Sequence, residues 1–202
     1  RRVATSDDLE VSAYLEIAKG LESVETEDGD DQQSTNEGIV VIDFGSQYSH
    51  LIARRIRESK VYSVISQSRS SWDSVKQINP KGVILSGGPA SVYEEGAPRI
   101  PDWVFERGLP VLGICYGMQA LVHQLGGKVS PGAKQEFGYA VLHQDDSKSG
   151  STLFNELPPS FQVWMSHGDR VESLPPGFSG MAYTENSPVA AIDNGDNLFG
   201  IQ

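Results

Sequence analysis

From residue 39 onward the sequence predicts an α/β fold: a mostly parallel central sheet with helices on both faces. Three observations carry that expectation. Short, fully apolar segments recur at 39–44, 61–65, 82–85 and 110–114, and strands buried on both faces read as unbroken apolar runs. Helical stretches lie between them at 49–57, 72–77 and 101–106, the alternation that parallel strands joined by crossovers produce. Candidate loops leave the carboxyl ends of three of these strands, at Gly45-Ser46-Gln47-Tyr48, Ser86-Gly87-Gly88-Pro89 and Cys115. In open α/β sheets ligands gather at those ends, so a parallel sheet would bring the three loops together.

The chain before this alternation has a different texture. Between residues 7 and 24 the apolar positions Leu9, Ala13, Ile17, Leu21 and Val24 recur at helical spacing, with Ser6 placed to cap and Gly20 weakening the run. Residues 25–37 are acidic and polar without periodicity, which reads as a disordered linker. The expected organisation is therefore an acidic tail, 1–38, and a folded domain, 39–202. Beyond Gly126 the strands are expected to be short and antiparallel or mixed, with turn signals at Pro158-Pro159, Pro175-Pro176 and Asn194-Gly195. No internal repeat is visible.

Composition narrows the partners. Of 27 acidic residues among 202, 11 stand in positions 1–38 against three basic ones, so that stretch carries −8 of the formal −11. The rest is nearly neutral, and no basic face invites a nucleic-acid backbone. No apolar run approaches the length of a membrane helix, and the acidic start is unlike a secretory or transit peptide. The single cysteine excludes an internal disulfide and suits a reducing, cytoplasmic compartment.

That cysteine, Cys115, sits in Gly113-Ile114-Cys115-Tyr116-Gly117, directly after an apolar strand and before a helical stretch. The pattern is the cysteine counterpart of the nucleophile elbow, in which a sharp strand-to-helix turn lifts the nucleophile out of the sheet. The following helix would point its N-terminal N–H groups at the sulfur and favour thiolate. A buried, inert cysteine is the other reading. A nucleophile attacking a carbonyl needs preplaced donors for the oxyanion, and the N–H of Tyr116 and one from Gly87 or Gly88 could serve. The Ser86–Ser91 loop is not a phosphate loop, because it lacks both the G-K-[ST] ending and the S-G-G-x-D-S form. No metal-ligand spacing is present. Of His50, His123, His143 and His167, the last is the most site-like, lying in Met165-Ser166-His167-Gly168-Asp169 after an apolar strand.

Together these motifs resemble the class I (triad) glutamine amidotransferases, over about residues 39–202. Asp43-Phe44-Gly45-Ser46-Gln47-Tyr48 with Leu51-Ile52-Ala53-Arg54-Arg55 narrows the resemblance to the glutaminase part of the GMP synthase branch. The resemblance implies a flavodoxin-like glutaminase fold and attack by Cys115 on the side-chain amide of glutamine, with a thioester intermediate and release of ammonia. It implies Gly88 and Tyr116 as oxyanion donors, and Gln119, Ser166 and His167 as contacts to the substrate's amino-acid end. No metal or cofactor is implied in this domain. The partner implied is an ATP-pyrophosphatase (synthetase) domain, fused or separate, which would bind ATP and Mg2+; a homodimer would form through such absent domains. The family's histidine and glutamate follow an F-G-[IV]-Q strand, which here is Phe199-Gly200-Ile201-Gln202. The base is therefore expected outside these residues, the domain is expected to be incomplete at its C-terminus, and 198–202 is expected as an unpaired edge. Gln135 stands where the family usually has Arg before Glu136. A free-standing glutaminase subunit of another amidotransferase, and a non-catalytic module that keeps the elbow, remain the alternatives.

Overall fold

The computed structural model describes residues 37–145 and 152–202; the expected helix at 7–24 and the linker at 25–37 lie outside these, apart from Glu37. Nine strands form one sheet in the order β2-β1-β3-β4-β9-β8-β7-β5-β6. The first five are parallel: β1 (Gly38–Asp43), β2 (Tyr62–Gln67), β3 (Pro80–Leu85), β4 (Val111–Ile114) and β9 (Leu198–Ile201). The order reverses at β1, so β2 and β3 leave in opposite directions from it. Right-handed crossovers then set the connections on opposite faces. Helices α1 (Ser49–Glu58), α2 (Trp72–Val75) and α3 (Asp102–Glu106) occupy those connections, and α4 (Tyr116–Gln124) follows β4.

Apolar strand residues meet apolar helix residues to make the main core. Val40, Ile42, Val83, Leu85 and Val111 pack with Trp103, Val104, Met118, Leu121 and Val122, all buried. The expected segment 72–77 is split: α2 ends at Val75 and a 3-10 turn, Lys76–Ile78, closes on Asn79 at φ 45°. That left-handed residue stops the helix and redirects the chain into β3.

The other half of the sheet corrects one expectation. Two of its strands are long: β5 (Lys128–Gln144) and β6 (Ser160–Ser173) form an antiparallel ladder, interrupted by a register shift between Pro131 and Glu136. Pro131, Gly132 and Gly138 break the apolar alternation here, which is why the sequence looked fragmented. Strands β7 (Ser179–Tyr183) and β8 (Ala191–Asp193) are short and antiparallel. Leu142, Met165, Met181, Ala182, Ala190 and Ala191 make a second core beneath them.

Residues 198–202 are also not an edge. Strand β9 lies between β4, paired parallel, and β8, paired antiparallel, and Gln202 N–H donates to Ala190 O at 2.8 Å. The edges of the described sheet are β2 and β6.

Candidate active site

The carboxyl ends of β1, β3, β4 and β9 come level in the sheet, with Ile42 beside Leu85, Leu85 beside Gly113, and Ile114 beside Ile201. Cys115 leaves β4 at this edge with φ 51° and ψ −107°, a positive φ that L-residues rarely adopt. The strain is fixed from several sides. Cys115 N–H donates to Ile201 O at 2.7 Å, Gly117 N–H to Ser86 O at 3.0 Å, and Gln119 N–H to Cys115 O at 3.0 Å. The elbow needs its glycines, since a Cβ on Gly113 would lie 2.6 Å from Met118 N.

The three loops do converge. Gly45, Ser46, Gly87, Gly88, Cys115 and Gln202 are among the residues lining one cavity of about 520 Å³. A second cavity of about 440 Å³ also reaches Cys115, and Gln119, Gln135, His167 and Asp169 are among its lining residues. Gly88, Pro89, Cys115 and Ser166 belong to both, so the sulfur stands between them. The thiol faces Ser166 O at 3.8 Å.

One carboxylate organises the loops. Asp43 Oδ1 accepts from Gly45 N–H at 2.9 Å, Ser46 N–H at 3.1 Å and Ser49 Oγ–H at 2.6 Å. Ser86 Oγ lies 3.5 Å from the same oxygen and accepts the Phe44 N–H at 3.1 Å. Burial pushes the Asp43 carboxyl up, but hydrogen bonds from Ser49, Gly45, Ser46 and Ser86 outweigh it and hold it below the ordinary value. The loop after β3 is thereby tied to the end of β1. Gly88 is required there, because a Cβ would fall 2.7 Å from Phe44 O.

At Cys115 the balance runs against the expected thiolate. Burial pushes the thiol above its ordinary value and the nearby Asp169 carboxylate adds to the rise. The Tyr116 N–H and the Gln202 side chain pull the other way without reversing it. The helix end does act on the sulfur, but desolvation is larger.

Each sequence-predicted residue has a definite place. Tyr116 opens α4, its N–H directed at the sulfur, while its ring is buried and its hydroxyl donates to Pro98 O at 2.6 Å. Burial raises that phenol to about 12. Gln119 is buried on α4 and donates from Nε2 to Asp169 O at 3.3 Å and to Gln202 Oε1 at 3.1 Å. His167 is buried, and both of its ring nitrogens face partners other than Cys115. Its Nδ1 is 3.0 Å from Asp169 O and its Nε2 is 3.2 Å from Glu136 Oε2. His50, His123 and His143 are exposed. Gln135, where the family usually has Arg, lies against Gly168.

Thr184 and Tyr93 lie outside the sequence motifs, while Asp43, Ser86 and Glu136 stand within motifs that assigned them no role. Tyr93 donates to Asp169 Oδ1 at 2.9 Å, across 76 positions of chain. Asp43 and Ser86 carried a motif signal, and Glu136 carried one through the adjacent Gln135 departure. Among the described residues no group of three or more His, Cys, Asp or Glu could hold a metal ion, and no helix is long and apolar enough to cross a membrane.

A strained cysteine at a strand-to-helix elbow, on a parallel sheet of order 2-1-3-4 extended by β9, defines a class of enzyme. The sequence profile described as "Glutamine amidotransferase class-I" matches residues 40–202, and the chain belongs to that family. Within it, the domain is closely related to the glutaminase domain of GMP synthase. It is 52% identical over 189 residues to "GMP synthase [glutamine-hydrolyzing]" of Dehalococcoides mccartyi, covering 93% of this chain and 35% of that protein. To the protein of the same name from Thermomicrobium roseum it is 51% identical over 166 residues, 82% of this chain and 31% of that one. The chain thus spans about a third of the length of these curated relatives. Among solved structures, a putative GMP synthase subunit from Thermoplasma acidophilum superposes with a TM-score of 0.71 at 26% identity, covering 82% of both chains. A glutamine amidotransferase from Thermotoga maritima, at 21% identity and a TM-score of 0.65, covers 83% of this chain and 75% of that one and shares the fold.

Proposed function

We propose that this domain supplies the ammonia of a GMP synthase by hydrolysing glutamine at Cys115. The observation that carries the reading is the strained Cys115, held at a sheet edge between two cavities, with the Tyr116 N–H directed at its sulfur. Glutamine enters the cavity walled by Gln119, Ser166, His167 and Asp169, with its amino-acid end toward those residues. Cys115 Sγ attacks the carboxamide carbon, and the oxyanion is taken by the N–H groups of Gly88 and Tyr116. Each such donor is worth roughly 2.7–4 kcal/mol of barrier. The C–N bond then breaks as the nitrogen takes a proton and leaves as ammonia. Water adds to the thioester carbon, the C–S bond breaks, and glutamate departs.

Both steps need a proton carrier within hydrogen-bond reach of the sulfur. Among the described residues none of the four histidines hydrogen-bonds to Cys115, and the reading assigns this role to the family's histidine–glutamate pair. The ammonia acceptor is xanthosine monophosphate, activated by ATP with Mg2+ on a synthetase domain that is fused or separate. The cavity lined by Tyr48, Ile52 and Trp164 also reaches the sulfur without Gln119 among its walls, and supports such a partner.

The test uses the full-length protein carrying this domain. Cys115→Ser abolishes GMP formation from xanthosine monophosphate, ATP and glutamine, and leaves GMP formation intact when ammonium replaces glutamine. Retained glutamine-dependent synthesis in that variant, or no GMP from the unmodified protein with either nitrogen source, sinks the proposal.

A further inference from the structure

On the β5–β6 ladder the inward row runs Leu142 with Phe161, Ala140 with Val163, Gly138 with Met165, and then Glu136 with His167. An apolar row thus ends, at the cavity side, in a buried polar pair. Glu136 is 7% and His167 6% exposed. Such a pair is costly to bury and holds its place only when its hydrogen bonds are complete.

Here each polar atom of the pair has a partner, and the bond directions are fixed at Thr184 and at Nδ1. Thr184 Oγ1 lies 3.0 Å from each Glu136 carboxylate oxygen, and it accepts the Ser187 N–H at 3.0 Å. Its single O–H therefore goes to the carboxylate. Glu136 Oε2 turns its other side to His167 Nε2 at 3.2 Å. The opposite ring nitrogen, Nδ1, faces Asp169 O at 3.0 Å, and a carbonyl can only accept, so Nδ1 carries a hydrogen. Asp169 O also receives Gln119 Nε2 at 3.3 Å. A continuous chain runs from Thr184 through Glu136 and His167 to the backbone of Asp169 and on to Gln119. Gln119, His167 and Asp169 line the 440 Å³ cavity and Glu136 does not.

We propose that Glu136 is a positioning residue for glutamine binding, acting through His167 to fix the 166–169 wall of the cavity. This rests on reading that cavity as the glutamine site. Without the carboxylate, His167 Nε2 is buried with no partner. The ring can then rotate off Asp169 O, and the segment that meets the substrate's amino-acid end loses its anchor. The Cys115 backbone, held by β4, β9 and the loop after β3, keeps its place. An amide can replace both contacts without a charge, so it should suffice. In Glu136→Gln the amide oxygen accepts from Thr184 and the amide N–H donates to a neutral His167 Nε2.

The experiment follows Cys115 alkylation in the full-length protein by two probes. 6-Diazo-5-oxo-L-norleucine is an electrophilic glutamine analogue that must use the cavity, and iodoacetamide needs only the sulfur. Glu136→Ala is expected to raise KI for the analogue about tenfold while kinact and the iodoacetamide rate stay within about twofold. Glu136→Gln is expected to bring KI back to within about threefold of the unmodified protein. If Glu136→Ala does not fold, Thr184→Val, which removes the donor to the carboxylate, should raise KI in the same direction. An unchanged KI in the variant that folds overturns the inference, as does a parallel fall of both alkylation rates. Failure of the analogue to label Cys115 in the unmodified protein overturns this inference together with the glutaminase reading. Normal labelling there with an insensitive KI overturns the positioning role alone.

Discussion

Cys115 has a backbone held at positive φ, at a cost of about 1–3 kcal/mol, and a thiol pushed upward by burial before the Asp169 charge adds to it. The geometry of a nucleophile is therefore in place, while burial and the Asp169 charge disfavour its ionisation. A raised thiol forms thiolate only at higher pH, so the alkylation curve must move to the right. For residues 1–202 the iodoacetamide rate is expected to rise with pH through a midpoint above that of a free cysteine peptide (about 8.5). A midpoint at or below the peptide's would contradict the burial argument. Gly88 tests the oxyanion role in the same way. Gly88→Ala places a Cβ 2.7 Å from Phe44 O, a backbone atom that is itself held because Phe44 N–H donates to Ser86 Oγ. The loop must shift, and the expected loss in glutaminase kcat of the full-length protein is roughly 10²–10³-fold, with KM changed much less. A wild-type kcat would remove Gly88 from the oxyanion hole.

At the scale of elements the parallel half was legible because burial on both faces leaves little but apolar residues in its strands. Its boundaries moved by no more than two residues, as at β3, which starts at Pro80 rather than 82. The antiparallel half was not legible. Phe137, Tyr139 and Val141 are exposed on one face of β5 while Ala140 and Leu142 pack below, so apolar residues occupy both faces and the period of two disappears. Strand β9 was misplaced for another reason: position in the sequence does not give position in the sheet. It is a central strand, and Gly200 lies so close to α4 that a Cβ would meet Met118 Cγ at 2.7 Å. A polypeptide ending at Asn197 leaves the facing edges of β4 and β8 unpaired and strips one wall from Met118 and Ile192. It is expected to elute as aggregate in size-exclusion chromatography and to lose the cooperative melt of residues 1–202. A soluble monomer with the longer chain's melting temperature would show β9 to be dispensable.

For the whole molecule, the local motifs around Cys115, Gly88 and His167 were readable, whereas the contacts that hold them were not. Thr184 reaches Glu136 across 48 positions and Tyr93 reaches Asp169 across 76, and no spacing rule encodes such meetings. The same ladder that hides Glu136 inside displays aromatics outside. Tyr139 is 79% and Trp164 67% exposed, with ring centroids 4.9 Å apart edge to face. Trp164 rims the cavity that opens on the sulfur. A contiguous exposed aromatic face of this kind marks an interaction site more often than a free surface. The curated relatives are about three times as long as the matched segment, so in those proteins there is chain enough to cover such a face. If the synthetase partner docks there, ammonia passes between the two parts without reaching bulk water. Tyr139→Asp puts a charge into that contact at a residue that itself lines neither cavity holding Cys115. In the full-length protein it should leave glutamine hydrolysis running and raise the ratio of free ammonia to GMP several-fold, as a desolvated charge weakens the contact. An unchanged ratio, with normal rates of both reactions, would place the partner on another face of the sheet.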